Sequence, residues 1–181
     1  MSDVLPNFIA SEEPGWSALL LVEVAGLPFA IEIDAIREVI EYRKMTRVPL
    51  CPPLISGVIN VRGSVVPVID AGLRLELEQR IRYTKYSCII LYEIKDEPLN
   101  QGTVLGLLVD CVRSIETINR QEAKPKPAFG CQVDEAFIEQ MISVKGEFVP
   151  VLSMEHLLAV SLLAERVQAS IPPYLMNERR R

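Results

Sequence analysis

Apolar and polar positions alternate in short runs along most of this chain, which is the pattern of half-buried β-strands rather than of long helices. From Trp16, the run Ser-Ala-Leu-Leu-Leu-Val-Glu-Val predicts a strand that ends at Ala25-Gly26. Phe29, Ile31 and Ile33 share one side of the next run, with Ala30 and Glu32 on the other. In 36–42 the apolar residues Ile36, Val39 and Ile40 suit a helical turn as well as a strand, and the pattern leaves both open. Pro49, Pro52 and Pro53 predict a stiff loop, with a helical turn over 54–56. Further strands are expected over 88–94, 104–109, 112–118, 138–144 and 148–152. Short helical stretches are expected over 71–78 and 154–166, the first capped by Asp70. Lys124-Pro125-Lys126-Pro127 and Gly130 place a long surface loop over 119–133.

The most ordered stretch is Gly57 to Asp70, two β-rich runs around Arg62-Gly63-Ser64. Taking Gly63-Ser64 as a Gly-first two-residue loop predicts a type II′ hairpin with Arg62 opposite Val65 and Ile59 opposite Val68. Ile59, Val61, Val66 and Val68 then form one apolar face, while Asn60, Arg62 and Pro67 mark the other. The stretch recurs. Ile59-Asn-Val-Arg-Gly-Ser-Val-Val-Pro-Val-Ile-Asp matches Ile142-Ser-Val-Lys-Gly-Glu-Phe-Val-Pro-Val-Leu-Ser at a spacing of 83 residues. Asp34-Ala-Ile-Arg-Glu-Val-Ile echoes Asp110-Cys-Val-Arg-Ser-Ile-Glu at a spacing of 76. Two echoes in the same order imply an internal duplication, read as lobes over 16–84 and 85–164 within one domain. Residues 1–15 are expected to form a flexible arm and 165–181 a tail.

Composition narrows the class. The chain has 181 residues, 49% hydrophobic and 24% charged, with a net charge of −5, so it is globular and lacks the basic footprint of a nucleic-acid binder. No apolar run approaches the roughly 20 residues of a membrane span, and no secretory signal is visible, so a cytoplasmic location without membrane insertion is expected. Four cysteines stand apart without a Cys-x-x-Cys pair, and His156 is the only histidine, so neither a metal site nor a cofactor is expected. Asp70 and Asp110 end strands without a matched acid or base, which favours turn capping over catalysis. No activated nucleophile and no phosphate-binding glycine loop is present in the pattern, so no enzyme activity is expected.

The order Phe29-Ala-Ile-Glu-Ile, Ile36-Arg-Glu-Val, Val48-Pro and Gly57-Val-Ile-Asn-Val-Arg-Gly-Ser-Val-Val-Pro-Val-Ile-Asp resembles the CheW family of chemotaxis coupling proteins. Gly106-Leu-Leu-Val-Asp-Cys-Val fits the same family, and the likeness runs from about Trp16 to about Ala164. The resemblance implies a mainly β fold of two pseudo-symmetric five-stranded barrels with short helices. It also implies an adaptor joining chemoreceptor cytoplasmic tips to the regulatory domain of a CheA-type histidine kinase, recruited to receptor arrays and able to form ring contacts with itself or a paralogue. By matching position it nominates Ile36, Glu38, Val39, Arg62, Cys88, Gly106 and Ile115 for the receptor, and Leu54, Ile55, Gly57 and Val58 for the kinase. Asn60, Gly63, Asp70 and Asp110 are nominated as structural. Ala71-Gly72 before Leu73, the 119–133 loop and the two termini depart from the family pattern and leave a paralogue serving pili or surface sensing as the alternative. A small β-barrel nucleic-acid module is the remaining rival, and an acidic chain with 6% aromatic residues argues against it.

Overall fold

The computed structural model describes residues 15–49, 51, 54–77, 83–94, 103–126 and 132–158. The expected N-terminal arm, the C-terminal tail, part of the 119–133 loop and the far end of the last helix lie outside them. Ten strands form two five-stranded sheets. They are β1 (Trp16–Val24), β2 (Leu27–Glu32), β3 (Ile36–Glu41), β4 (Ile55–Val61), β5 (Ser64–Asp70), β6 (Cys88–Ile94), β7 (Thr103–Val109), β8 (Cys111–Asn119), β9 (Ile138–Val144) and β10 (Glu147–Leu152). Two short helices follow the strands that the capping residues end, α1 (Ala71–Arg74) and α2 (Met154–Leu158). Residues 36–41 resolve as strand, and the helical turn expected over 54–56 is instead the start of β4.

The sheet orders are β8-β1-β2-β10-β9 and β3-β6-β7-β5-β4. Mapping the first five strands onto the last five converts one order into the other, so the duplication is built into the topology. The expected division at residue 84 does not survive, however. Each half gives its first two strands to one sheet and its last three to the other. The chain changes sheets at the 3-10 turn Ile33–Ala35 and again at Asp110. Strand pairing needs only a free ladder in reach, and period-two patterning carries no label for which half supplies the partner.

The exchange produces three apolar layers. Leu19, Leu21, Ala30, Ile142, Val149 and Val151 fill the inside of the first sheet. Ile59, Val66, Val68, Ile89, Leu91 and Leu108 fill the second. Between them, Leu20, Val22, Phe29, Ile31, Ile90, Leu105, Leu107 and Val109 form a shared core drawn from both sheets. Central strands such as β1, β6 and β7 are therefore apolar on both sides, which is why they read as unbroken hydrophobic runs. Arg74 ties the sheets together beyond that core: Nε donates to the Leu157 carbonyl (2.9 Å) and Nη2 to that of His156 (3.0 Å), and the guanidinium lies over the Phe137 ring. Each sheet also curls, so that the chain beyond one edge strand meets the other edge in a single antiparallel bridge, Thr46 with Val58 and Lys124 with Met141.

The hairpin register differs from expectation. Val61 pairs with Ser64 and Ile59 with Val66, so the loop is Arg62-Gly63. Both residues have positive φ (51° and 82°), the signature of a type I′ turn rather than type II′. The ladder moves by two positions in pair sum, an even step, so Ile59, Val61, Val66 and Val68 keep their shared core face. Lys145-Gly146 repeats the turn with φ of 52° and 87°, and Ala25-Gly26 makes a third with 50° and 76°.

Candidate functional site

Four of the expected receptor-facing residues, Ile36, Val39, Cys88 and Ile115, lie at the rim of the shared core. Ile36 and Val39 on β3, Val112 and Ile115 on β8, and Cys88 at the start of β6 are all half-buried against it. β3 and β8 each form one edge of their sheet, and the duplication relates Ile36 to Val112 and Val39 to Ile115. Both strands carry a bulge at the same duplicated position. Arg37 is the extra residue between Ile36, opposite Tyr92, and Glu38, opposite Leu91. Arg113 is the extra residue between Val112, opposite Val22, and Ser114, opposite Leu21. Burial pushes the Cys88 thiol up, against an opposing backbone hydrogen bond from Val112, which places the start of β6 beside β8. The Cys51 and Cys111 thiols are also raised, chiefly by burial.

Glu38 and Arg62 meet as an ion pair of 3.2 Å, the arginine side chain 82% exposed and the glutamate 37%. Asn60 stabilises the turn by accepting from the Gly63 amide (2.9 Å), and Arg43 reaches the Asn60 carbonyl (3.5 Å). Asp70 caps α1 as expected, accepting from Leu73 N at 3.0 Å, and additionally accepts from the Tyr83 hydroxyl at 2.8 Å. Asp110 has a different task from capping a following turn. Its Oδ2 accepts from the Gly26 amide (3.0 Å) and its own amide donates to the Glu23 carbonyl, so the second crossover is stitched to the β1–β2 turn. Gly106 lies inside the second sheet, not on the rim. A Cβ there would stand 2.9 Å from Ile89 Cγ2 and 3.0 Å from Val68 Cγ2, so its role is close strand packing.

The four kinase-facing nominees occupy β4 and the residue before it. Leu54 is half-buried, while Ile55 and Val58 are buried with Val48, Cys51 and Val65 around them. Gly57 has φ +151°, and a Cβ on it would meet the Thr46 carbonyl oxygen at 2.6 Å. The glycine is therefore demanded by the segment that crosses β4, through the reciprocal Thr46–Val58 backbone bonds of 2.9 and 2.8 Å.

Sequence reasoning missed three participants. Val112 was signalled only by its duplication partner, Ile36. Tyr42 and Tyr83 stack at 4.8 Å beside this surface, and Tyr83 also approaches Ser56 on β4 (3.5 Å). Burial pushes the Tyr83 hydroxyl up to about 12. On the opposite sheet, Lys126, Asp134, Glu139, Ser153 and His156 line an open cavity of about 470 Å³, in which Ser153 Oγ and His156 Nδ1 lie 2.8 Å apart. Among the described residues no group of three or more His, Cys, Asp or Glu side chains is arranged to hold a metal ion.

These features define a mainly β, two-sheet protein whose exposed elements are edge strands and hairpin tips. The CheW-like domain model matches residues 18–162. The chemotaxis protein CheW of Bacillus subtilis (strain 168) is 29% identical over 155 residues, covering 85% of this chain and 92% of the relative. That of Rhizobium meliloti (strain 1021) is 28% identical over 144 residues, covering 78% and 86%. In three dimensions the chain is similar to the scaffolding protein TtCheW of Thermoanaerobacter tengcongensis, with a TM-score of 0.70 and 27% identity over 83% of this chain and 92% of that one. The chain belongs to the CheW-like family of chemotaxis scaffold proteins.

Proposed function

We propose that this chain is a non-catalytic adaptor that couples chemoreceptor cytoplasmic tips to the regulatory domain of a CheA-type histidine kinase, at receptor arrays on the cytoplasmic side of the membrane. The observation that carries the reading is the duplicated apolar rim. Two edge strands present Ile36, Val39, Val112 and Ile115 at the margin of one core, beside the exposed Arg62–Glu38 pair. An apolar groove edged by charge is the chemistry that seats an amphipathic helix by its i, i+3, i+4 side chains. Arg62 offers donors to a carboxylate or to carbonyls at a helix end. In this reading the kinase is met on β4 and at Leu54 before it, while the receptor tip takes the rim of β3 and β8.

Coupling then follows from differential contact. A receptor tip that changes its fit to the rim shifts the geometry offered to the kinase only by the difference in its binding free energy between two states. No helix among the described residues is long and apolar enough to cross a membrane, so membrane proximity in this reading comes from the receptor. Titration calorimetry with a receptor-tip helical hairpin and, separately, with the kinase regulatory domain tests the reading. Saturable binding of each, undisturbed by the other, is expected; binding of neither overturns it.

A further inference from the structure

In a regular strand, residues three apart face opposite sides. Ile36 and Val39 nevertheless both pack on the shared core, and so do Val112 and Ile115. The bulge makes this possible, because one extra residue reverses the phase of everything beyond it. In both strands that extra residue is an arginine, and in both it grips a glutamate on the neighbouring strand. Arg37 holds Glu93 through two parallel bonds of 2.8 Å, Nε to Oε2 and Nη2 to Oε1. Arg113 places Nε (2.9 Å) and Nη2 (2.5 Å) on Oε2 of Glu23. Glu23 and Glu93 occupy matching places in β1 and β6, which pair with β8 and β3. As edge strands, β3 and β8 have their register in the sheet set by one ladder each, so a bulge that migrates by one residue would turn the residues it passes to the other face.

We propose that Arg37 and Arg113 are positioning residues: by gripping Glu93 and Glu23 they fix the two bulges in place, and so hold both apolar pairs on the rim that receives the receptor tip. Neither guanidinium belongs to the apolar rim itself. The inference rests on the adaptor reading for its ligand, but the phase of the strands can be observed without one. The charge-assisted fork explains why arginine rather than lysine serves, since two donors on one carboxylate fix direction as well as distance.

The full chain is titrated with a receptor-tip helical hairpin and with the kinase regulatory domain, as wild type, Arg37→Ala, Arg113→Ala, the double variant, and the charge swap Arg37→Glu with Glu93→Arg. Methyl NMR of Ile36 and Ile115 and urea melts run alongside. Each single variant is expected to weaken tip binding about fivefold, the size of one partly exposed ion pair, and the double variant about twentyfold. Kinase-domain affinity and the urea midpoint stay close to wild type, the Ile36 and Ile115 methyl signals shift, and the charge swap restores tip binding relative to Arg37→Ala. Unchanged tip affinity in the double variant overturns the proposal, as does a loss shared equally between tip, kinase domain and stability. If the wild type binds no tip, the adaptor reading fails. The methyl signals then decide the positioning role alone: shifted signals in the double variant support it, and unshifted signals overturn it.

Discussion

The β4–β5 and β9–β10 hairpins are copies that have kept their backbone and changed their surfaces. Each has a type I′ turn with a cation and a glycine, a bulge at the matching residue (Ser56 or Glu139), and a strand with a proline inside it (Pro67 or Pro150) that pairs in parallel with a strand from the other half. The first is roofed by the segment that follows β3, so Ile55 and Val58 are buried and Val65 is half-buried with them. On the second, Phe148, the counterpart of Val65, is 55% exposed with Lys124 over its ring. Their tips diverge too. Arg62 reaches Glu38 at 3.2 Å, whereas Lys145 stands 3.9 Å from Glu116. Duplication thus preserves what holds a sheet together, turns and bulges and register, while the outward side chains are released to specialise.

The sharpest break in this comparison is at Gly57. Gly57→Ala drives a Cβ into the Thr46 carbonyl at a φ that L-residues avoid, and is expected to cost about 3 kcal/mol or more in a urea melt. Gln140 is the matching residue of the second hairpin and already carries a side chain, so Gln140→Ala should stay within about 0.5 kcal/mol. Next comes Gly106, whose counterpart is the buried Ala30. Gly106→Ala should cost about 1–3 kcal/mol by overpacking Ile89 and Val68, although the matching site tolerates that methyl.

A smaller effect is expected with pH at Tyr83. The folded Tyr83 hydroxyl titrates at about 12 against an ordinary value of 10, mainly because of burial. A raised pKa contributes stability that is intact below pH 10 and lost as the pH climbs towards 12, because the unfolded chain releases the proton first. Urea midpoints should therefore fall over that window in the wild type more than in Tyr83→Phe; parallel curves would remove Tyr83 from the account. The smallest change in stability is expected at the tips. Asparagine suits the positive φ of a type I′ turn, so Arg62→Asn and Lys145→Asn should each shift stability by only about 0.5 kcal/mol. The two should part in binding, where only Arg62→Asn weakens the receptor-tip interaction in calorimetry.

Much of this molecule was legible in its residues. Most strand positions, the Asp70 cap, the apolar face of Ile59, Val61, Val66 and Val68, and the existence of two related halves follow from local periodicity and turn chemistry, which are properties of neighbouring residues. The loop assignment failed for a local reason as well: a Gly-first turn is the cheaper guess, and only the ladder shows that Arg62 accepts a left-handed conformation. Site residues were harder. Glu38 and Arg62 were nominated separately, and their contact, the burial of Val58 and the inward place of Gly106 depend on neighbours far along the chain. The spacing of Ile36, Val39 and Ile40 looked as much helical as extended because a bulge inserts one residue into a two-residue repeat, and a bulge exists only relative to a partner strand. The sequence by itself determined most of the strand segments, the Asp70 cap, and that the pattern occurs twice. Only the tertiary structure decided that the halves exchange strands, because a backbone ladder binds any strand of suitable face and length, and the choice among them is made by which arrangement buries all three apolar layers at once.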